Sequence, residues 1–224
     1  MKTFMIILFC SISLLAQNIK VEKISGSVKY LKGTSEKWEN VTTGTILSAN
    51  DFLETEDNSF IQLNKDGKRF ILKSSSALGL NYIKEISVND LLLALAMEEV
   101  RNVPVKQNNT NVGNTAVYGS KVSTKKTDAK LDLLLGEKRL NGAKQLVEFG
   151  YSESAVIAAK ETYRNYPATK KLIKERIFFT DILISLKLYD EALSELNDIK
   201  NYCDLESDQK IISEKIDKVK MELL

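Results

Sequence analysis

The sequence contains no histidine among its 224 residues. Histidine is the most common general base and metal ligand in proteins, and it activates the Ser-His and Cys-His nucleophilic pairs. These sites are therefore excluded, and two cysteines are too few for a zinc site. Chemistry based on carboxylates stays open, with Asp51 beside Glu54 or Glu56 as candidates. The composition favours a binding protein over an enzyme and predicts neither a metal nor a cofactor.

An excess of charge of one sign is also missing, because 32 Lys and Arg oppose 30 Asp and Glu and leave a net charge of +2. A nucleic-acid-binding domain is usually strongly basic, so we expect no nucleic-acid partner. Cys10 lies in an N-terminal apolar run, which leaves Cys203 as the single cysteine of the remaining chain. An intramolecular disulfide is then impossible, so packing must hold the fold even in an oxidising compartment.

The apolar run at the N-terminus predicts export. Lys2 is followed by apolar and small residues from Phe4 to Ala16, and the composition turns polar at Gln17-Asn18. This order is typical of a secretory signal peptide, so we predict residues 1–16 as the signal, cleaved after Ala16. A membrane-spanning helix needs about 20 apolar residues, so we expect no transmembrane segment after cleavage. The predicted location is the bacterial periplasm or the cell exterior.

Residues 17–86 form a predicted β half. Short segments alternate apolar and polar residues between turn residues, as Val28 and Tyr30 do after Gly26. Strands at this spacing are typical of a small sandwich or barrel. Alternation also predicts a last strand through Leu78, Leu80 and Tyr82.

The clearest local signal is a β-hairpin with its turn at Asp66-Gly67. Two-residue hairpin turns need positive φ angles, which glycine adopts without strain. This turn places Leu63 opposite Phe70 and Ile61 opposite Leu72. All four side chains then share one face, so the turn and the hydrophobic pattern predict the same register.

Turn and core positions recur in a fixed order through this half: Gly26-x-Val28, Trp38, Gly44-x-x-Leu47, Asp51-x-x-x-Thr55, Ser59, Asp66-Gly67 and Leu72. Together they resemble the pattern of the FecR domain, the periplasmic part of iron-dicitrate sensor regulators. Thr115 to Ser120 is similar to that family's return strand. The resemblance implies an extracytoplasmic β module that binds a partner. We expect no anti-sigma activity, because the sequence shows neither the sigma-factor-binding segment nor the spanning helix that precede the domain in those regulators.

Residues 87–103 are predicted as a helix that bridges two halves. Ser87 or Asn89 can cap it, and Pro104 ends it. The run from Leu91 to Met97 is apolar on nearly every side, so we expect burial on two faces. Residues 104–127 follow as a polar loop with the possible return strand.

Residues 128–224 show helical periodicity, which predicts five helices separated near Gly150 and Pro167. Ala143, Ala155 and Pro167 resemble the close-packing positions and terminal proline of a tetratricopeptide repeat, a helical hairpin of about 34 residues. Ala192 is the counterpart of Ala155 in the next unit. A plain helical bundle is the alternative. Stable arrays usually need about three repeats, so this half should lean on the β domain or on a partner.

Six residues are candidates for partner binding: Trp38, Tyr163, Tyr166, Lys170, Lys171 and Lys174. The three lysines crowd a predicted helix start, where cations are mildly unfavourable, and this indicates an acidic partner. The tyrosines belong either to helix packing or to a concave groove.

The sequence therefore predicts an α+β protein with a small all-β sandwich or barrel followed by helical hairpins. The leading hypothesis is a non-catalytic exported envelope protein that binds another protein or a peptide. The second is a peptidoglycan- or glycan-binding module, in which Trp38 with Tyr30 and Tyr82 stacks on sugars from one β face. A carboxylate enzyme is the third.

Overall fold

A computed structural model describes residues 18–102 and 129–224. The predicted signal peptide with its cleavage site after Ala16 lies outside these residues, and so does the possible return strand at 115–120. The described chain is α+β, as predicted, with two antiparallel sheets followed by helices.

Eight strands lie in the first described segment: β1 (Ile19–Ser25), β2 (Val28–Leu31), β3 (Trp38–Asn40), β4 (Ile46–Leu47), β5 (Phe52–Thr55), β6 (Phe60–Lys65), β7 (Lys68–Leu72) and β8 (Ser76–Gly79). The first sheet has the order β4-β1-β6-β7 and the second the order β3-β2-β5-β8. Alternate residues of both sheets meet in one buried cluster, with Ile61 and Leu63 from the first sheet and Leu53 and Leu78 from the second. The two sheets therefore share one hydrophobic core.

The predicted hairpin is confirmed. In the β6–β7 pair Leu63 lies opposite Phe70 and Ile61 opposite Leu72, and all four side chains are buried. The turn residues Asp66-Gly67 have φ angles of 53° and 80°, as a turn with two positive φ values requires.

Six α-helices lie in the described residues: α1 (Val88–Asn102), α2 (Ala129–Glu148), α3 (Ser152–Asn165), α4 (Ile173–Ser185), α5 (Tyr189–Lys200) and α6 (Glu206–Glu222). A 3-10 turn at Pro167–Lys171 joins α3 to α4. The predicted breaks at Gly150 and Pro167 are confirmed. Among the helices of the two described segments, none has the length and apolar character needed to cross a bilayer.

The predicted strand through Leu78, Leu80 and Tyr82 is wrong in its second half. β8 ends at Gly79, and Leu80–Tyr82 form a 3-10 turn. The backbone N–H of Leu80 donates to the carbonyl of Asp51 at 2.9 Å, which anchors the start of the turn. Tyr82 is thereby directed away from the sheet, and its hydroxyl donates to Glu161 on α3.

The bridging helix has the predicted bounds within one residue, and Ser87 caps it by accepting the N–H of Asp90 at 3.1 Å. Burial on two faces is wrong, however. Leu91 and Leu95 are buried in a cluster with α3, whereas the opposite stripe is exposed: Leu93, Met97 and Val100. The cause is that the described residues supply one main packing partner, α3.

Helix α2 lies against the second sheet. Gly142 faces β8 so closely that an added Cβ would clash with the carbonyl oxygen of Ala77. Lys138 of α2 donates to Glu54 and Glu56 at 2.5 and 2.9 Å. Leucines and alanines of α2 and α3 join the same buried cluster as the strands: Leu140, Ala143, Leu146, Ala155 and Ala159. The helical half thus leans on the β half, one of the two supports expected from the sequence.

Candidate functional site

The structure brings four of the six candidate residues to one region of the helical half. Tyr163 lies on α3, Lys170 and Lys171 lie in the 3-10 turn, and Lys174 lies in the first turn of α4. Tyr163 and Lys170 line a pocket of about 280 Å³ between α3, the 3-10 turn, α4 and α5. Lys171 and Lys174 are exposed and follow Lys170 closely in the sequence.

A buried ion-pair network forms one wall of this pocket. Arg176 is only 2% exposed, and its Nη2 donates to Glu195 and to Asp198, both at 2.6 Å. The second carboxylate oxygen of Glu195 accepts from Lys160. Burial alone would raise the pKa of Glu195, but Lys160 and Arg176 outweigh it and hold that pKa below its ordinary value. Glu195 therefore stays ionised between two cations.

Two aromatic rings fix the guanidinium of Arg176. Its Cζ lies 5.7 Å from the ring centre of Tyr163 and 5.3 Å from that of Tyr202. Both distances are within the range of cation–π attraction. Burial acts to lower the pKa of Arg176, and Glu195 with Asp198 reverses the effect, so the pKa is raised. Arg176 is thus a permanently charged and well-anchored part of the wall.

The hydroxyl of Tyr163, unlike the charged groups of this network, is unpaired. The side chain of Tyr163 is 5% exposed, and its hydroxyl has no hydrogen-bond partner among the described protein atoms. Burial raises the pKa of this phenol well above its ordinary value, so the group is a neutral donor. Tyr163 also borders a cavity of about 10 Å³, at the lower limit of the space that one water molecule needs.

Two further donors of the pocket have no acceptor in the described residues. The Lys170 ammonium and the Ser194 hydroxyl line the pocket, and neither donates a hydrogen bond or joins an ion pair there. Arg164, the remaining cation of the pocket, donates to Glu98 on α1 at 2.7 Å. Glu98 lies outside the pocket and is shared with Arg101 at 3.0 Å. The pocket therefore keeps an uncompensated positive charge at Lys170.

Trp38 and Tyr166 belong to a second surface, which we call the aromatic ridge. Trp38 is 39% exposed and packs edge-on against Phe52, with ring centres 6.3 Å apart. The guanidinium of Arg139 on α2 lies 4.5 Å from the ring of Phe52 and 5.3 Å from that of Tyr166. The ridge therefore crosses from β3 to the 3-10 turn and links the two halves.

The prediction that Trp38, Tyr30 and Tyr82 form one sugar-stacking face is wrong. Trp38 pairs with Leu31, whereas the neighbouring Tyr30 pairs with Glu39, so the two rings point to opposite faces of the sheet. Tyr82 contributes to neither, because its hydroxyl is bound to α3. Trp38, Tyr30 and Tyr82 thus share no face.

Asp51 and the candidate carboxylates Glu54 and Glu56 have different hydrogen-bond partners. Asp51 is buried and accepts the backbone N–H groups of Gly33 at 2.9 Å and Ser48 at 2.8 Å. Glu54 and Glu56 face α2, where both accept from Lys138. Within 18–102 and 129–224 no group of three or more metal-binding side chains is present.

Sequence reasoning missed the role of Arg176. A signal existed, because Arg176 precedes Phe179, Thr180 and Leu183 at helical spacing, on the buried face of α4. An arginine on such a face needs buried carboxylates. Their identity could not be read from spacing, since Glu195 lies on another helix.

Comparisons with protein-family models, curated proteins and solved structures found no significant match.

Proposed function

We propose that this chain is a non-catalytic, exported envelope protein that binds another protein through its helical half. The observation that carries the proposal is the cationic pocket at Tyr163, Lys170 and Ser194, whose three donors have no acceptor in the described residues. Lys170 is half-buried and Ser194 is exposed, so a partner that supplies acceptors can reach both donors and would complete the pocket.

In this proposal the β half is a FecR-like module and the helical half a tetratricopeptide-like array. The burial of the small residues supports the second assignment. Ala143, Ala155 and Ala192 have no exposed surface, and Thr180 has none at the place where a second unit needs a small residue. Such positions let paired helices approach closely, and a surface of stacked helical hairpins is suited to bind an extended peptide.

Site-specific photo-crosslinking in the cells that export the protein tests this function. A photoreactive residue replaces Lys171, the exposed neighbour of Lys170 in the chain, and the matched control replaces Lys32, which is exposed on the β half. We expect a protein adduct of defined mass at position 171 and not at position 32. N-terminal sequencing of the mature protein should begin at Gln17. If neither position yields a protein adduct, or if the chain keeps residues 1–16 and stays in the cytoplasm, the proposal fails.

A second function, peptidoglycan binding, is favoured by the aromatic ridge. Trp38 is partly exposed beside Phe52, and Arg139 has no carboxylate partner in the described residues. A flat aromatic next to a hydrogen-bond donor suits a sugar ring. Co-sedimentation with purified peptidoglycan tests this, with Trp38→Ala as the variant. Loss of sedimentation in the variant supports the second function, and no sedimentation of the wild-type chain rejects it.

A further inference from the structure

We propose that the pocket between α3, the 3-10 turn, α4 and α5 binds a carboxylate of an acidic segment in the partner. This inference rests on the protein-binding function proposed above and names the chemistry of its contact.

The unpaired donors of the pocket determine which chemical groups a ligand must supply. The ammonium of Lys170 and the hydroxyl of Ser194 can each donate to a ligand, and neither has an acceptor in the described residues, whereas the unpaired hydroxyl of Tyr163 is buried. The carboxylates at this pocket are already engaged, Glu195 by Arg176 and Lys160 and Asp198 by Arg176. A ligand that completes the pocket therefore supplies acceptors, as an oxyanion does.

The charges limit the ligand to about one negative charge. Four cations and two carboxylates line the pocket, and three of the cations form ion pairs: Lys160 and Arg176 within the pocket, and Arg164 with Glu98 outside it. The single positive charge left at Lys170 matches a carboxylate. A phosphate monoester carries close to two negative charges at neutral pH, and Asp198, about half exposed, would repel the second one. The arrangement thus selects a carboxylate over a phosphoryl group.

Arg176 has a positioning part in this site. Four of its five N–H groups donate to Glu195, Asp198 and the carbonyl of Lys170, and these bonds hold the guanidinium in place. The bond to the Lys170 carbonyl, at 3.4 Å, ties the 3-10 turn to α4. Arg176 therefore holds the backbone from which the Lys170 ammonium reaches the ligand.

Binding of four fluorescein-labelled peptides, measured by fluorescence anisotropy, tests the site. The first alternates Glu and Ala and is amidated at its C-terminus, and the second replaces every Glu with Gln. The third is the Gln peptide with a free C-terminal carboxylate, and the fourth is the Gln peptide with one phosphoserine. The first and third distinguish a side-chain carboxylate from a terminal one as the source.

We expect the first or third peptide to bind and the amidated Gln peptide not to bind. Lys170→Gln should weaken binding about tenfold or more, since a charged hydrogen bond is lost. Ser194→Ala should weaken it about fivefold, the effect of a neutral hydrogen bond. Lys32→Gln, with the same change of charge on the β half, should leave the Kd within about twofold. Far-UV circular dichroism checks that each variant is folded.

Three results would overturn the inference: no binding of either carboxylate peptide, equal loss in Lys170→Gln and Lys32→Gln, or tighter binding of the phosphoserine peptide. Any of these three results can occur while the photo-crosslink at position 171 succeeds. The protein-binding function would then be supported and the carboxylate site rejected. Failure of the crosslink with intact, Lys170-dependent peptide binding would reject the cellular function and keep the site.

Discussion

Arg176 of α4 and Glu195 of α5 form a buried ion pair in which Nε and Nη2 both donate to the same carboxylate oxygen, at 2.8 and 2.6 Å. Removing one partner of a buried pair leaves the other charge uncompensated, which costs about 3–5 kcal/mol. The pair therefore couples the stability of the α4–α5 hairpin to the protonation of one carboxylate.

Glu195→Gln should change how stability depends on pH. The pKa of Glu195 is lowered in the folded protein from an ordinary value of 4.5. Its stabilising contribution is thus complete above about pH 4.5 and is lost as the pH falls through the lower folded-state pKa. We expect the variant to be less stable than the wild type at pH 7, with the difference shrinking below about pH 4.5. Urea denaturation between pH 3 and 7 measures this.

The control for this experiment is Glu214→Gln, an exposed glutamate on α6 without an ion-pair partner in the described residues. It should leave the free energy of unfolding within about 0.5 kcal/mol. A Glu195→Gln curve parallel to the wild type over the whole pH range contradicts the argument.

Tyr163→Phe should stabilise the free protein. It removes a buried hydroxyl with no partner in the described residues, which relieves a penalty of about 1–3 kcal/mol. Tyr82→Phe is the matched control, because the same substitution there removes a hydrogen bond to Glu161 and should cost about 1 kcal/mol. Chemical denaturation measures both variants, and opposite signs are expected. A loss of stability in Tyr163→Phe would show that its hydroxyl is already satisfied.

The two faces of α1 should respond differently to truncation. Leu91 has no exposed surface, whereas Leu93 is 63% exposed on the opposite stripe. Leu91→Ala should lower the free energy of unfolding by about 2–5 kcal/mol, and Leu93→Ala by about 0.5 kcal/mol or less. Differential scanning calorimetry of the two variants checks this. Equal losses would mean that the Leu93 stripe is covered in the protein in solution.

Gly142→Ala should destabilise the protein although alanine is the better helix former by about 1 kcal/mol. The added methyl group would meet the carbonyl oxygen of Ala77 on β8, so α2 must move away from the sheet at a cost of about 1–3 kcal/mol. Thermal denaturation measures the change, with Glu137→Ala in the same helix as the control. A higher Tm in Gly142→Ala would contradict the close approach of helix and strand.

The parts of the fold that local chemistry determines were predictable from the sequence. Asp66-Gly67 and the alternation around it set the hairpin register, and Gly150 and Pro167 set the helix ends. Burial was harder to predict, because an apolar stripe such as Leu93, Met97 and Val100 is buried only if another element packs against it. The exposed stripe of α1 shows that apolar composition alone does not determine whether a helix face is buried.

The candidate site was predictable only in part. Tyr163 and Lys170 stood out by residue type, and both line the pocket. Ser194 did not, because a lone serine on α5 carries no spacing that connects it to α3. The pocket depends on how four separate elements pack, and this information lies in tertiary contacts rather than in local pattern.

Helix α2 also determines which kinds of partner the β half can accept. β8 is an edge strand of the second sheet, and an open edge invites a strand from another chain to add to it. Asn141 donates to the carbonyl of Ser75 at 2.9 Å and Gln145 to the hydroxyl of Ser76 at 2.8 Å, while Gly142 presses on Ala77. Because α2 covers this edge, we expect that no strand of a partner can pair with β8. The same contact prevents two copies of the chain from associating through β8.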